Sequence, residues 1–222
     1  MEILSIQVGQ PKSYGVDGAE DPLERPWTSA IDKRAVMGRA WLGPEGLAGD
    51  AQADRRHHGG PDMALLAYAA EHYPRWREEL DDSGLAYGAF GENITVAGAD
   101  EHTVCVGDVF AVGDALVEVS KPRQPCQTLA RKFRVRNMVR RVLRRQAFGW
   151  YLRVRQEGWL EQGMVFQLQD RPYPHWTVKE VERVMRHRAH APEAARRLAD
   201  CRALADDWRA QLGEPGAASD TG

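Results

Sequence analysis

Apolar residues in the first two-thirds of the chain come in short runs separated by turn residues, a pattern that predicts β-strands. The clearest pair is a hairpin, in which residues 108–112 and 115–120 flank Gly113-Asp114, a dipeptide that supplies the positive φ of a tight turn. Further strands are predicted at residues 3–8, 35–41, 63–68, 148–154 and 164–168, with a Pro/Gly/Asp-rich loop at 10–26. Many short strands with glycine turns favour a mainly β fold, either a barrel or a sandwich.

Apolar residues at helical spacing interrupt the strand pattern in two places, and after residue 174 they replace it. Residues 71–80 and an amphipathic basic stretch around 137–146 predict helices between the strands. Arg171-Pro172-Tyr173-Pro174 is interpreted as a linker, because the composition changes after it. We therefore predict a β-barrel domain at residues 1–171, a helical region at 175–212 and a disordered tail at 213–222.

The region after the linker has clear helix signals. Thr177 and Glu180 have the spacing of a capping box, and apolar residues follow at helical spacing. Pro192 predicts the start of another helix. The predicted apolar face of that helix comprises Leu198, Cys201, Leu204, Trp208 and Leu212. Cys201 is therefore expected to be a core residue of this region.

Composition limits the location of the protein more than its function. The chain has 222 residues and a net charge of -2, so it is neither strongly basic nor strongly acidic. Its 3 cysteines are far apart and odd in number, so neither a disulfide framework nor a structural zinc site is predicted. Neither a signal peptide nor an apolar stretch of membrane-spanning length is visible, so we expect a cytoplasmic protein.

One segment, Lys121-Pro122-Arg123-Gln124-Pro125-Cys126, has distinctive chemistry. It begins a stretch, residues 119–156, that is rich in lysine and arginine and contains no Asp or Glu. Nearby cations depress the pKa of a thiol, and the thiolate is both the nucleophile and the metal-ligating form. Cys126 is therefore a candidate reactive or metal-binding residue, although a lone cysteine is also commonly a small buried hydrophobe.

Three other stretches combine glycine or hydroxyl groups with polar side chains. Gly49-Asp50-Ala51-Gln52 leads into His57-His58-Gly59-Gly60-Pro61-Asp62, Phe90-Gly91-Glu92-Asn93 precedes an apolar run, and Thr28-Ser29-Ala30-Ile31-Asp32-Lys33 could bind an anion. Each stretch also has a purely structural interpretation as a turn or a cap. The arginine run is interleaved with apolar residues, so one of its faces is expected to pack while the arginines line a surface or cleft.

Taken in order, these motifs resemble one family. The series GDxQA, HGGPD, FGEN, GDVF and VSxPRxPC is similar to that of the MOSC domain, named from the C-terminal part of molybdenum cofactor sulfurases. The closest resemblance is to the YiiM-like bacterial branch, which adds a small three-helix C-terminal region. The motifs cover about residues 28–130, and the helical region extends the resemblance to about residue 212.

The resemblance implies a mixed β-barrel of the pyruvate-kinase-barrel type that holds the molybdenum cofactor, a pyranopterin dithiolene with one phosphate. Cys126 would ligate molybdenum, and Cys126 and His58 would be the catalytic residues. The residues implied to bind the cofactor are Ser29, Lys33, His58, Gly59, Gly91, Glu92, Asn93, Ser120 and Arg123. A soft thiolate suits molybdenum, and an arginine fork suits a phosphate.

The resemblance also implies the reaction and the partners. The expected enzyme is an oxidoreductase that removes oxygen from N-hydroxylated substrates, such as hydroxylaminopurine-type bases and amidoximes, and so detoxifies them. No iron–sulfur or flavin-binding segment is visible, so a separate electron-donating reductase is expected. The family also raises pyridoxal phosphate binding as a second cofactor property. We expect a monomer or homodimer, with no membrane or nucleic-acid partner.

Two alternatives stay open. In the first, Cys126 carries a persulfide, and the protein is a sulfur carrier or transferase for maturation of a metal–sulfur cofactor. In the second, arginines between residues 131 and 155 bind nucleic acid, which would give binding a steep salt dependence. The second alternative is weaker, because these arginines alternate with core-type residues and no aromatic stacking platform accompanies them.

Overall fold

A computed structural model describes residues 1–54 and 59–213, and within them the chain is mainly β, which confirms the predicted fold class. In chain order the strands are β1 (Glu2–Val8), β2 (Lys12–Tyr14), β3 (Trp27–Ser29), β4 (Arg34–Ala35), β5 (Ala40–Gly43), β6 (Gly46–Leu47), β7 (Leu65–Ala69), β8 (Ile94–Ala97), β9 (Val109–Val112), β10 (Ala115–Pro122), β11 (Trp150–Gln156), β12 (Gly158–Leu160) and β13 (Gln167–Asp170). The helices are α1 (Tyr73–Glu79), α2 (Gln127–Phe133), α3 (Met138–Arg145), α4 (Val178–Arg186), α5 (Pro192–Ala199) and α6 (Asp206–Gly213), and Pro61–Met63 and Ala70–His72 are short 3₁₀ turns.

Eight of the strands form one curled mixed sheet in the order β13-β9-β10-β11-β7-β8-β1-β4. Within it, β7 and β8 are parallel and the other neighbours are antiparallel. Every residue of β7 is buried, which explains why its sequence is a continuous apolar run rather than an alternating one. Two small sheets, β12-β5-β6 and β2-β3, complete the β structure. The sheet curls into half of a barrel, in agreement with the predicted mixed β-barrel.

Strand β10 carries the chain from the predicted hairpin to the cysteine segment. The hairpin turn contains Gly113, whose φ of 56° is the left-handed value that its position requires. All but one residue of β10 is buried, and its pairing with β11 shifts between Val119 and Lys121. Such an irregularity bends a strand and re-aims the residues that follow it. Here those residues are Arg123 and Cys126.

The structure corrects three boundaries that were predicted from sequence. The single strand expected at residues 35–41 is two strands, β4 and β5, because Gly38 adopts a φ of 78° between them and turns the chain. The strand expected at 164–168 begins only at Gln167. The helix expected from Pro192 through Leu212 is broken into α5 and α6 by turns at residues 200–205. Helix α2 was not predicted at all.

The three C-terminal helices pack on the sheet. The Oγ1 of Thr177 accepts a hydrogen bond from the backbone N–H of Glu180 at 3.2 Å, so the predicted cap is present at the start of α4. The buried apolar residues of α4, α5 and α6, and the buried Cys201 in the turns between α5 and α6, belong to the same core cluster as those of the sheet. No helix within the described residues is both long and apolar enough to cross a membrane. The predicted tail lies outside the described residues from position 214 onward.

Candidate functional site

A cavity of about 230 Å³ brings together residues from most of the sequence motifs. Its wall is formed by the segment after β2–β3, the segment after β6, the start of β8 and the connection between β10 and α2. The polar and charged residues that line it are Thr28, Ser29, Lys33, Asp50, Gln52, Asp54, Asn93, Arg123, Gln124, Cys126, Thr128 and Tyr151. Ile31, Met63, Leu66 and Phe90 provide apolar surface, and Gly91 completes the wall.

Cys126 is half-buried in this cavity and directly precedes helix α2. Its backbone is extended (φ -123°, ψ 173°), and the chain then turns into the helix at Gln127. An extended residue at this position is what the first turn of a helix requires. The unpredicted helix α2 therefore orients the thiol toward a space shared with Arg123 and Asn93 instead of toward the core.

Arg123 is buried at the end of β10, with only 6% of its surface exposed. Its backbone N–H donates to the carbonyl of Gly149 at 3.0 Å, and its Nη2 donates to the carbonyl of Phe90 at 3.1 Å. The Nη1 atom is shielded from solvent and has no hydrogen-bond partner among the described residues. A buried polar atom without a partner is rare and indicates a missing acceptor. The guanidinium in this cavity therefore has an unused donor.

Lys33, in contrast, already has a partner. Its Nζ forms a buried ion pair with Asp50. The same carboxylate accepts hydrogen bonds from the backbone N–H of Gly9 at 2.7 Å and from Asn93 Nδ2 at 2.8 Å. Asn93 Oδ1 in turn accepts from the N–H of Leu66 at 3.1 Å. Asp50 was not predicted as a site residue, although its place in the GDxQA motif was the available signal, and it compensates the positive charge that Lys33 was expected to offer.

Ser29 and Gly91 line the cavity as backbone-shaping residues. Ser29 Oγ accepts a hydrogen bond from the N–H of Ile31 at 3.2 Å, so the hydroxyl closes a turn. Gly91 has a φ of 83°, and a Cβ atom there would lie 2.9 Å from Ile31 Cγ1. Both residues therefore set the shape of the cavity wall, which matches the interpretation of their motifs as turns.

Three of the expected cofactor-binding residues are absent from the lining. Glu92 is fully buried, and its carboxylate accepts four hydrogen bonds from inside the fold. Ser120 Oγ donates to the backbone carbonyls of Asp62 at 2.6 Å and Tyr151 at 3.2 Å. Gly59 lies at the edge of a gap in the described chain and does not line the cavity. The expected histidine, His58, is outside the described residues.

Tyr151 is a site residue that the sequence did not indicate. It stands on β11 opposite Lys121 of β10, and its side chain lines the cavity. Burial raises the pKa of its phenol, while the nearby Arg123 guanidinium opposes that rise and the Cys126 sulfur adds to it. The phenol is therefore protonated at neutral pH and can donate a hydrogen bond into the cavity. A tyrosine in an ordinary strand pattern carries no sequence signal for this role.

The acid-free basic stretch is largely neutralised by acids from other elements. Lys121 contacts Asp207 of α6 at 2.6 Å, Arg136 contacts Asp21 at 2.8 Å and Arg153 contacts Asp62 at 2.8 Å. Arg155 pairs with Glu118, and Arg141 and Arg145 pair with Glu79. Among the described cations lining the cavity, Arg123 alone has no carboxylate within 4 Å.

Comparisons with known proteins agree with these features. A family model for the MOSC domain matches residues 54–167, and one for the YiiM-like 3-alpha helix domain matches residues 176–214. The uncharacterized protein YflK of Bacillus subtilis is 41% identical over 95% of this chain and 92% of its own length. A Gibberella moniliformis protein named Reductase is 37% identical over 84% of this chain but only 32% of its own length.

A solved structure extends the comparison to three dimensions. The crystal structure of YiiM from Geobacillus stearothermophilus has a TM-score of 0.78 and 33% identity, covering 95% of this chain and 96% of that one. The two family models and the match to a solved structure therefore cover both the sheet and the C-terminal helices. This chain belongs to the MOSC domain family, and within it to the YiiM-like proteins.

Proposed function

We propose that this protein is a molybdenum-cofactor-dependent reductase that removes oxygen from N-hydroxylated substrates. The observation that carries the proposal is the pairing of Cys126 with the unpartnered Nη1 of Arg123 in one cavity. A cysteine thiolate is a suitable ligand for a soft metal, and a buried guanidinium without a carboxylate is suited to an anion. A cofactor that contains both a metal and a phosphate would use both groups.

The residues present fit this cofactor better than a metal ion held by protein alone. Within the described residues there is no cluster of three or more His, Cys, Asp or Glu side chains that could hold a metal. A metal in this cavity would therefore need most of its ligands from another source, and a dithiolene supplies two sulfurs. Cys126 would supply the protein ligand, and Arg123 would hold the anionic part of the cofactor.

The proposed reaction is R–NHOH + 2 H⁺ + 2 e⁻ → R–NH₂ + H₂O. When bound, the cofactor would supply the two-electron redox chemistry. The chain's part is to bind and orient: Asn93, held by Asp50, presents a fixed edge to the cavity, and Tyr151 offers a hydroxyl donor. His58 remains a predicted proton relay. The name Reductase of the Gibberella moniliformis relative is in keeping with such chemistry.

The electrons are proposed to come from a separate protein, since the sequence shows no iron–sulfur or flavin-binding segment. The Gibberella moniliformis relative is consistent with this proposal, because the matched region covers only 32% of it and leaves room for further domains. Monomeric or homodimeric assembly and a cytoplasmic location stay predictions.

The test is a comparison of wild type with Cys126→Ala and Cys201→Ala, each purified with cofactor. Molybdenum per chain is measured by elemental analysis, and reduction of 6-hydroxylaminopurine is followed with a chemical reductant. We expect Cys126→Ala to lose metal and at least about 100-fold in rate, because even the loss of a residue that only orients a metal ligand costs up to about 100-fold. Cys201→Ala, which removes a buried thiol from the helical region, should retain both. Unchanged activity in Cys126→Ala would refute the mechanism, and a stable persulfide on Cys126 without metal would favour sulfur transfer.

A further inference from the structure

The small sheet β12-β5-β6 has one buried face and one exposed face. Trp41 of β5 and Trp159 of β12 are exposed, whereas the residue on either side of each is buried. Successive side chains of a strand point to opposite faces of its sheet. The buried neighbours therefore face inward, and the two tryptophans lie together on the exposed face.

Two cross-strand pairs on this exposed face are in direct contact. Trp41 lies directly opposite Trp159 in the antiparallel pairing of β5 with β12. Their rings meet edge to face, with centroids 5.2 Å apart and an interplanar angle of 71°. Two residues further along, the same register places Arg39 opposite Glu161, and Arg39 Nε lies 3.6 Å from Glu161 Oε2. The tryptophan pair and the ion pair are therefore neighbours on one surface.

A third pair lies on the other side of the tryptophans. There the register places the exposed Glu157 opposite Gly43, and a Cβ added to Gly43 would lie 3.7 Å from Glu157 Oε2 and 3.7 Å from Trp41 Nε1. The two side chains thus lie beside a residue that has no side chain of its own. We call the surface made by the three pairs the outer face, and its residues are Arg39, Trp41, Gly43, Glu157, Trp159 and Glu161.

The outer face has the properties of a surface that binds another protein. Trp41 and Trp159 remain 37% and 41% exposed, although tryptophan is highly buried on average. Tryptophan is also enriched in the buried centre of protein–protein interfaces. The side chains of Arg39 and Glu161 are 58% and 46% exposed, so their ion pair is weak and can exchange partners at little cost. Both pairs are therefore available to a partner surface.

A second copy of the chain is complementary to the outer face in every pair. A two-fold axis parallel to the strands and midway between β5 and β12 would bring each residue in front of its cross-strand partner from the second copy. The facing residues would be Arg39 with Glu161, Trp41 with Trp159, and Gly43 with Glu157. Opposite charges would meet twice, the four indole rings would form one cluster, and each Glu157 would lie against a glycine. No like charges face each other in this arrangement, whereas a partner of one charge sign would repel either the arginine or the two acids.

We propose that the outer face binds the outer face of a second copy, so that the protein forms a symmetric homodimer. Two short strands contribute to each side, so the contact is smaller than the about 800 Å² per partner of a standard interface. We therefore expect a weak dimer, with a dissociation constant on the order of 10 μM. The inference does not depend on the proposed reaction, and its tests need neither cofactor nor substrate.

The first experiment measures the oligomeric state of the full chain by sedimentation equilibrium from about 1 to about 200 μM. Wild type should change from monomer to dimer across this range. Arg39→Glu and Glu161→Arg each place like charges opposite each other twice in the dimer, so each should weaken association at least about tenfold. Trp159→Ala should do the same, because tryptophans at the centre of an interface carry much of the binding energy. Wild type that stays monomeric throughout overturns the proposal, and so does a dimer that any one of the three substitutions leaves unchanged.

The second experiment mixes Arg39→Glu and Glu161→Arg chains in equal amounts. In a heterodimer of the two, both charged pairs again join opposite charges, so the mixture should dimerise within a few-fold of wild type. The ion pair within one chain does not explain such a recovery, because each variant chain still lacks it. A mixture that associates no better than either variant alone overturns the proposal.

The matched control mixes Arg196→Glu with Glu193→Arg, two exposed positions three residues apart on α5. These variants have the same net charges as the first two, and they should dimerise as wild type does, both alone and mixed. If the control variants lose the dimer as well, net charge governs association instead of the outer face, and the proposal fails.

Discussion

At the scale of single residues, neighbours in one motif have separate tasks. Asn93 points to the cavity and contacts Asp50, whereas the adjacent Glu92 points into the fold. Glu92 Oε1 accepts from Tyr73 Oη, from the N–H of Gly88 at 2.7 Å and from Thr95 Oγ1 at 2.9 Å. Its Oε2 accepts from the N–H of Phe90 at 3.1 Å. Glu92 therefore holds the loop that presents Asn93, which is an indirect contribution to the site.

The first prediction is that Glu92→Gln destabilises the protein without removing any atom from the cavity wall. The amide nitrogen would place a donor against donors, and an unsatisfied buried group costs about 1–3 kcal/mol. We expect the free energy of unfolding in urea to fall by about 2 kcal/mol. The matched control is Glu71→Gln, since the exposed Glu71 accepts one hydrogen bond, from the N–H of Gly98 at 2.7 Å. If Glu92→Gln lowers the free energy of unfolding by less than Glu71→Gln does, Glu92 does not hold the loop that presents Asn93.

The second prediction concerns pH and the buried pair of His72 with Glu101. His72 Nε2 lies 2.7 Å from Glu101 Oε2, and Glu101 Oε1 accepts from the N–H of Gly149 at 2.7 Å. Burial lowers the pKa of His72, but the hydrogen bond and charge of Glu101 outweigh burial and raise it above its ordinary value of 6.5. The carbonyl of Gly149 accepts from Arg123, so this pair supports the backbone that positions the guanidinium.

Because the pKa is raised in the folded state, the stabilisation from His72 is complete below about pH 6.5 and is lost as pH rises through the folded-state value. The free energy of unfolding of wild type should therefore decline across a window that begins near pH 6.5 and extends upward. His72→Gln should flatten this decline, whereas His187→Gln, at an exposed position of the helical region, should keep it. Identical pH profiles for wild type and His72→Gln would show that the pair does not form.

At the scale of elements, the structures that could be predicted are those whose signals lie next to each other in the sequence. The hairpin at Gly113 was predictable because its turn residues and both strands are contiguous in sequence. Helix α2 was missed, since its seven residues are too few to show a helical period. The direction of Glu92 was equally hidden, because it depends on donors from β8 and from α1, which meet only in the fold.

The site could be predicted only as a set of motifs. The residues Ser29, Lys33, Gly91, Asn93, Arg123 and Cys126 line one cavity, and their role in binding a cofactor stays a prediction. What sequence could not show is that Asp50 neutralises Lys33, or that Tyr151 of β11 joins the wall. Both facts follow from pairing between distant segments, which no local pattern encodes. Contacts between distant segments also explain why acids elsewhere in the chain neutralise most of the basic stretch at residues 119–156.

The third prediction tests whether the loop at Gly91 sets the shape of the cavity. Gly91→Ala introduces both a left-handed strain at φ 83° and a Cβ only 2.9 Å from Ile31 Cγ1. Gly163→Ala is a control for the strain alone, because Gly163 has a φ of 87° and nothing within 4 Å of an added Cβ. Overpacking costs about 1–3 kcal/mol beyond the strain, so Gly91→Ala should lose about 2 kcal/mol more than the control in urea unfolding. Under the proposed function it should also retain less molybdenum per chain than the control. Equal losses of stability in the two variants would show that Ile31 moves aside without cost.

At the scale of the whole molecule, the C-terminal helices are attached to the strand that leads to the site. The N–H of Ala205 donates to the carbonyl of Ser120 at 3.0 Å, and Arg153 Nη2 donates to the carbonyl of Ala203 at 3.0 Å. Lys121 Nζ lies 2.6 Å from Asp207 Oδ2. Strand β10 is thus paired along its edges by β9 and β11 and contacted near its end by the helical region. The end of β10 is where Arg123 and the approach to Cys126 begin.

The fourth prediction is that the Lys121–Asp207 contact stabilises the folded protein, because it gives the buried ammonium of Lys121 a partner charge. The side chain of Lys121 is 6% exposed and that of Asp207 is 53% exposed, so Asp207→Asn leaves a buried ammonium without its partner charge. Removing one partner of a buried pair is strongly destabilising, whereas replacing both is often neutral. Asp207→Asn should therefore lower the free energy of unfolding by about 2 kcal/mol, less than for a fully buried pair because water reaches Asp207. The double variant Lys121→Met/Asp207→Asn should recover most of that loss, and Asp206→Asn, at an adjacent carboxylate that is 93% exposed, should cost under about 0.5 kcal/mol. If the double variant is no more stable than Asp207→Asn, apolar packing and backbone contacts hold the C-terminal helices on the sheet. In that case the Lys121–Asp207 ion pair does not connect these helices to β10.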